Sequence, residues 1–345
     1  MSSSNQGRIG VLLVNLGTPD SPQTPDVRRY LNEFLTDGRV VDMPAAIRYP
    51  LFRGLVVPLR APKSAKIYQQ LWTERGSPLL FHGLDLKQKV QDQLGADYLV
   101  AFGMRYQNPS IESALQELRD AAVRRIIVLP LFPQYASAST GSVQEKVMDL
   151  VSKWWIVPNI SFISNFVDEP GFIETFAALG RAEMAKHDYD HFVFSYHGIP
   201  ERHVLKGSHN GHCKLGSCCA SYNKNNRYCY RAQCFETSRQ LGKALGLAPE
   251  QYTTTFQSRL QSRLRDPWLQ PYTDEVIKEY PAKGIKSVLA FSPAFVADCL
   301  ETTIEVGEEF KELFEEAGGQ HWQLVPSLNS NPQWVEAVAG MLRRN

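Results

Sequence analysis

Two groups of residues stand where chemistry is expected. His197 closes the run Phe192-Val193-Phe194-Ser195-Tyr196-His197, which Gly198-Ile199-Pro200 then breaks. An apolar, β-branched and aromatic stretch ending on a polar side chain before Gly and Pro reads as a buried parallel strand. It delivers that side chain to the carboxyl edge of a sheet, where open α/β sheets bind ligands. An imidazole there suits proton transfer or metal binding; a core or capping histidine is the plainer alternative. Glu301, Glu305 and Glu308 follow another buried run and are four and three residues apart, so on an α-helix they share one face. A ridge of like charge is unfavourable unless water, protons or a cation neutralises it. A solvated face suffices for Glu308 and Glu309. Glu301, at the start of its helix and the end of its strand, can share protons or a divalent cation with His197.

Other candidates occupy similar places. Arg105 and Tyr106 end a strand-like run; Arg can hold a carboxylate and Tyr can stack on a planar ligand. Ser139 and Thr140 lie in Gln134–Ser142, whose hydroxyls and helix-start character suit an anion contact or an ordinary N-cap equally well. Cys213, Cys218, Cys219, Cys229 and Cys234 fall in one Gly-, Ser-, Asn- and Lys-rich segment, with Cys299 apart. In a reducing compartment such a cluster points to metal rather than to disulfides.

The elements that must carry these residues alternate between strand-like and helix-like patterns. Strands are expected at 10–17, 98–103, 125–131, 160–164, 191–195, 252–256, 287–292 and 321–326. Helices are expected near 111–121, 171–186, 235–245, 273–280 and 333–343. The reading is α/β: two similar doubly wound, Rossmann-like domains with parallel sheets and a ligand cleft between them. The first spans 8–160 and the second 161–329, with a cysteine-rich insert at 206–234. Segment 40–72 is apolar with interspersed Arg and too Pro-rich for one long helix. It suits a hydrophobic, basic lip that could also touch a membrane surface; a helix packed on the core is the alternative.

With 345 residues, 43% of them hydrophobic, the chain can bury two cores. The formal charge is +1, from 37 basic and 36 acidic residues, which disfavours a nucleic-acid partner. No Gly-x-Gly-x-x-Gly or phosphate loop follows the first strand, so a nucleotide is disfavoured. The polar start at Met1–Gly7 lacks signal-peptide architecture, and no apolar run reaches spanning length, so the chain reads as cytoplasmic and soluble. Oligomeric state is left open.

Several motifs together resemble the ferrochelatases, which insert Fe²⁺ into a porphyrin. They are Leu13-Val14-Asn15-Leu16-Gly17-Thr18-Pro19, Gly76-Ser77-Pro78-Leu79, Met104-Arg105-Tyr106, Pro133-Gln134-Tyr135 and Ser139-Thr140-Gly141-Ser142. Ser195–Pro200, Phe256-Gln257-Ser258-Arg259, Asp266-Pro267-Trp268-Leu269, Asp298-Cys299-Leu300-Glu301-Thr302 and Ser327-Leu328-Asn329 continue the series in family order. The resemblance implies that His197 and Glu301 are the active-site pair, as iron ligands or proton acceptors; the ridge Glu301–Glu305–Glu308 could then deliver iron or drain protons. It implies that Tyr68, Arg105 and Tyr106 line the porphyrin pocket, that 40–72 is the lip, and that 330–345 packs back on the first domain. Protohaem is the implied product; another tetrapyrrole chelatase or a non-catalytic porphyrin-binding iron–sulfur protein are the alternatives.

Some family members carry a 2Fe–2S cluster. The resemblance implies one here, held by Cys213, one of the adjacent Cys218 and Cys219, Cys229 and Cys234; structural zinc or free reactive thiols are alternatives. Cys299 stands where some relatives have His, which weakens it as an essential base. Leu16 stands where some have Met or Tyr facing the metal. The tandem Gln257–Leu260 and Gln261–Leu264 receives no function.

Overall fold

The computed structural model describes residues 7–208, 211–259 and 266–345. Most of the tandem turn and part of the cysteine segment lie outside them.

Eight strands form two parallel sheets among the described residues. β1 (Ile9–Gly17), β2 (Tyr98–Tyr106), β3 (Arg125–Pro130) and β4 (Asn159–Phe162) form one, in the order β2-β1-β3-β4. β5 (His191–His197), β6 (Tyr252–Gln257), β7 (Ser287–Phe291) and β8 (His321–Leu324) form the other, in the order β6-β5-β7-β8. The orders are equivalent. Each sheet's first strand lies inside it, and the chain leaves that strand first to one side and later to the other. β1 and β5 are therefore topological switch points, where α/β sheets open a crevice at their carboxyl ends. Continuous apolar runs such as Val11–Val14 and Val288–Phe291 are fully buried, as strands covered on both faces must be.

The chain divides into two units. One comprises Met1–Phe132, Ala136–Asn165 and Asn329–Asn345; the other comprises Pro133–Tyr135 and Phe166–Leu328. The division thus departs from a single crossing at 160. The backbone N–H of Tyr135 donates to Gln233 Oε1 (2.5 Å), and Gln134 Nε2 donates to Thr237 Oγ1 (3.1 Å) and the Pro293 carbonyl (3.3 Å), which ties 133–135 to the second unit. In the first unit, Pro332–Arg343 packs on Pro78–Leu94, and Arg343 Nη2 donates to the Gln93 carbonyl (2.6 Å).

Segment 40–72 corrects its expectation. Despite three prolines, residues 45–71 are continuously helical: α over Ala45–Leu51, π over Phe52–Val56 and α over Val57–Leu71. Pro58 falls in the first turn of the last piece, where its missing N–H and fixed φ are tolerated. The π turn lets the chain restart there. Ile47, Tyr49, Leu55 and Leu59 stand exposed on this segment, and the Arg53 guanidinium lies 4.7 Å from the Tyr49 ring centre. No helix among the described residues is long and apolar enough to cross a membrane.

Candidate active site and cysteine loop

His197 is the last residue of β5 and half-buried. Its Nδ1 lies 2.7 Å from the Gly198 carbonyl. A carbonyl can only accept, so Nδ1 carries the hydrogen and the neutral ring keeps its lone pair on Nε2. The backbone that carries the ring is held on both sides of it. Tyr230 donates its hydroxyl to the His197 carbonyl (2.7 Å), and the Gly198 N–H donates to the Gln257 carbonyl on β6 (2.7 Å). Gly198 allows this approach, since a Cβ there would lie 2.8 Å from that carbonyl oxygen.

Glu301 and Glu305 come from the segment after β7. Glu301–Glu309 is π-helical, and the Phe310 N–H reaches back to the Glu305 carbonyl. This corrects the three-glutamate ridge. Seven residues make nearly two α turns but only about one and a half turns of an i→i+5 helix. Glu301 and Glu305 are half-buried, whereas Glu308 is exposed with Glu309. Burial pushes the Glu305 carboxyl above the usual carboxylate range and the nearby Glu301 charge adds to this. The Ser258 hydroxyl, His197 when protonated, and the Gln257 amide offset it only partly. Ser258 Oγ donates to Glu305 Oε2, and Gln257 Nε2 donates to the same oxygen (3.2 Å) and to the Glu301 carbonyl (3.1 Å).

Gln257 is the residue the sequence reading quoted without a role. Its Oε1 accepts from Ser195 on β5 (2.6 Å), so one amide ties the strand carrying His197 to the helix carrying both glutamates. It lies opposite His197 in the β5–β6 register. Cys299 is buried, and burial together with the Glu301 charge pushes its thiol well above the usual range.

Two of the first unit's candidates, Arg105 and Tyr106, meet around a residue that sequence reasoning missed, Asp37. Its Oδ2 accepts from Ser142 Oγ (2.5 Å), Arg105 Nη2 (2.6 Å) and Tyr106 OH (2.9 Å), and its Oδ1 from the Arg39 N–H (2.7 Å). Arg105 Nε also donates to Ser142 Oγ (2.6 Å). The carboxyl is 5% exposed and the guanidinium 13%. Burial would raise the Asp37 pKa; the Ser142 hydroxyl, the Arg39 N–H, the Arg105 charge and the Tyr106 hydroxyl outweigh it and hold the group below its usual value. Arg105 is thus already paired, which corrects its reading as a free clamp for a ligand carboxylate. Tyr106 is fully buried, edge-on to Phe34 (5.2 Å, 77°), so its faces are not offered for stacking. Tyr68 is buried edge-on to Tyr30 (6.2 Å, 82°). Ser139 and Thr140 lie in a π turn, Ser137–Gly141. Thr140 is fully buried with no partner for its Oγ1 among the described residues, and Ser139 is half-buried.

The cysteines separate into two environments. Cys213, Cys218 and Cys229 line a cavity of about 400 Å³ in the second unit. Cys219 is buried with its Sγ 4.0 Å from that of Cys218, and its thiol hydrogen-bonds Cys229. That bond holds the Cys229 thiol below the usual range against burial. Cys234 is inside the helix Tyr230–Leu245 and fully buried; burial pushes its thiol far up. The expected helix start near 235 lies instead at Tyr230, which takes Cys234 out of the loop. The thiols meet in pairs: among the described residues no three His, Cys, Asp or Glu side chains are gathered closely enough to hold a metal ion. Cys213, Cys218 and Cys229 nevertheless border one cavity, and the Nε2 of His212 on the same wall is enclosed without a hydrogen-bond partner among the described residues.

This fold is that of the chelatases. The chain superposes on "SirB from Bacillus subtilis with Fe3+" with a TM-score of 0.53 over 98% of this chain and 95% of that one, at 11% identity. In sequence it is 47% identical to a ferrochelatase of Legionella pneumophila over 97% of this chain and 98% of that one. It is 43% identical to a ferrochelatase of Coxiella burnetii over 100% and 96%. The ferrochelatase family model matches residues 8–345. The chain belongs to the ferrochelatase family.

Proposed function

We propose that this enzyme inserts ferrous iron into protoporphyrin to form haem, with His197, Glu301 and Glu305 as the reacting groups. The observation that carries this reading is the 2.7 Å contact between His197 Nδ1 and the Gly198 carbonyl. With Nδ1–H given to the Gly198 carbonyl, Nε2 is a free base at the carboxyl end of the switch-point strand. Insertion must remove two pyrrole N–H protons and strip water from Fe²⁺. Nε2 takes one proton. A carboxyl whose pKa burial raises, Glu305, is a better proton acceptor than an ordinary surface glutamate and receives the other. While ionised, Glu301 and Glu305 offer hard oxygens to the incoming iron, and Nε2 offers nitrogen. The two protons lost from the ring balance the charge of the metal gained, so the product leaves without net charge at its centre. A rigid pocket that holds the ring bent would expose the nitrogen lone pairs and favour the transition state.

Arg105 and Tyr106 serve this reading as walls held by Asp37, with Tyr68, Ser139 and Thr140 beside them in the same unit. The exposed Ile47, Tyr49, Leu55 and Leu59 beside Arg53 support 40–72 as the lip and as a peripheral membrane contact. In the cysteine loop the cavity shared by Cys213, Cys218 and Cys229 supports the reading of a 2Fe–2S cluster held by Cys213, Cys218 or Cys219, Cys229 and Cys234. Bound there, it would supply a one-electron centre; no step of insertion runs through it.

The test is anaerobic mixing with Fe²⁺ and protoporphyrin, following conversion of the free-base absorption bands to those of the metalloporphyrin. His197→Ala should lose activity while keeping the wild-type melting temperature. Near-normal turnover in that variant refutes the assignment.

A further inference from the structure

We propose that Tyr230 is a positioning residue for iron insertion: its hydroxyl fixes the backbone that aims the His197 base. The inference rests on the reading of His197 as a proton acceptor, and it names the group that keeps the ring in that role.

The imidazole is oriented by its own chain. Nδ1 gives its hydrogen to the Gly198 carbonyl, so the direction of that carbonyl decides where Nε2 points and which nitrogen keeps a lone pair. The acceptor belongs to a glycine, whose backbone turns more freely than that of any other residue. Its direction must therefore be set from outside.

Two hydrogen bonds pin the peptide plane that joins His197 to Gly198. Tyr230 donates to the C=O end of it (2.7 Å), and the N–H end donates to the Gln257 carbonyl on β6 (2.7 Å). A plane tied at both ends cannot rotate without breaking one tie. Beyond the glycine, the Ile199 carbonyl accepts from the Leu269 N–H (3.0 Å). The Gly198 carbonyl is thus set between two fixed neighbours.

The tie from Tyr230 fills a gap in the sheet. β6 pairs with β5 as far as His197, but β7 pairs with it only as far as Phe194. At His197 the ladder serves the β6 side, and the carbonyl facing away from β6 takes its partner from a side chain. That side chain is buried, 7% exposed, at the first residue of the helix Tyr230–Leu245 and directly after Cys229. Phenylalanine would fill the same space without the donor. Removing a general base outright costs roughly 100–10,000-fold in rate. A base left in place but loosely aimed loses less, and about tenfold is expected here.

The experiment uses the full chain in anaerobic assays with Fe²⁺ and protoporphyrin, with a melt of each variant. ¹⁵N NMR of histidine-labelled protein above neutral pH shows which ring nitrogen carries the hydrogen; the His197 signal is the one missing from His197→Ala. Wild-type His197 should carry it on Nδ1, and Tyr230→Phe should show a mixture with Nε2. Tyr230→Phe should lower kcat about tenfold with KM for both substrates unchanged, because the aim of the base matters in the transition state and not in binding. Tyr230→Phe combined with His197→Ala should be no slower than His197→Ala alone, since the hydroxyl acts through the ring. Para-aminophenylalanine in place of Tyr230 keeps a donor at the same point and should restore rate and tautomer. A folded Tyr230→Phe with wild-type kcat and tautomer overturns the inference, as does a further loss in the double variant. If Tyr230→Phe does not fold, the para-aminophenylalanine protein decides: wild-type rate and tautomer support the inference, and a rate lowered tenfold overturns it. Near-normal turnover in His197→Ala overturns the reading of the base itself, and the role of Tyr230 with it.

Discussion

Asp37→Asn isolates a buried charge pair in the first unit. The substitution keeps shape and removes one charge, leaving the Arg105 guanidinium, 13% exposed, facing a neutral amide. One amide oxygen must then replace a carboxylate that accepts four hydrogen bonds. Breaking one side of a buried pair costs about 3–5 kcal/mol. The slight exposure of Arg105 places this case near the lower end, about 3 kcal/mol. For a unit of roughly 150–250 residues, each kcal/mol lowers the melting temperature by about 2–4 °C, so a fall of about 6–12 °C is expected at pH 7. The pH dependence follows from the lowered Asp37 pKa. A carboxyl depressed in the folded state stabilises fully above its unfolded pKa, about 3.9, and loses that contribution as pH falls through the folded value. The gap between wild type and Asp37→Asn should therefore be constant near neutrality and close below about pH 4. Asp37→Asn combined with Arg105→Met removes both charges and should recover much of the loss, giving a coupling of at least about 1.5 kcal/mol in the double-mutant cycle. Circular dichroism melts of the four proteins measure this. A single-variant loss below about 1 kcal/mol, the range of exposed pairs, with no coupling, would refute the argument that this network is structural.

Three further outcomes follow from the second unit's site and from one glycine. Glu305→Gln should abolish or strongly reduce iron insertion yet leave the protein as stable as wild type or more so at pH 8. A carboxyl raised in the folded state destabilises increasingly as pH rises from its unfolded pKa, about 4.3, to its folded one; melts from pH 5 to 8 showing a growing deficit for the variant would contradict this. Gln257→Leu removes the amide joining Ser195 to Glu301 and Glu305, and initial rates should fall by about 10–100-fold with little change in melting temperature. Gly17→Ala places a Cβ 2.1 Å from the Tyr106 carbonyl oxygen at φ +125°. Strain and overpacking together should cost roughly 2–6 kcal/mol in guanidinium unfolding, and a cost under 1 kcal/mol would mean the strand ends separate easily.

The residues that proved legible are those whose neighbours in sequence are also their neighbours in function. β5 announces itself because seven consecutive residues are buried or half-buried and end on His197, so a local pattern carries the whole inference. Asp37 carries no such mark. It follows a helix end in Thr36-Asp37-Gly38, and its partners Arg105, Tyr106 and Ser142 are 68, 69 and 105 residues away. Spacing among cysteines was equally blind to which thiol faces the core. Cys234 lies five residues after Cys229, yet the helix turns it onto Tyr230 and Tyr196. Gln257 falls between these cases. The β5–β6 register makes it opposite to His197, but the sequence alone does not give a register between strands whose paired residues are 60 apart.

The departures from α-helical expectation have a common location. The π segments among the described residues, Phe52–Val56, Ser137–Gly141 and Glu301–Glu309, all fall in stretches where chemistry or ligand contact was expected. An α-helical reading assigned Glu308 to the acidic face, because periodicity in apolar residues cannot tell an i→i+4 turn from an i→i+5 turn over so few residues. The wider turn has poorer packing at its centre, and π turns persist where they position something that the α geometry would not. Here the gain is specific. Continued as α-helix, the segment would add Glu308 to the face of Glu301 and Glu305, and three carboxylates would repel each other there. As a π-helix it turns Glu308 to water. Two acids remain, with Ser258 and Gln257 to hold one of them.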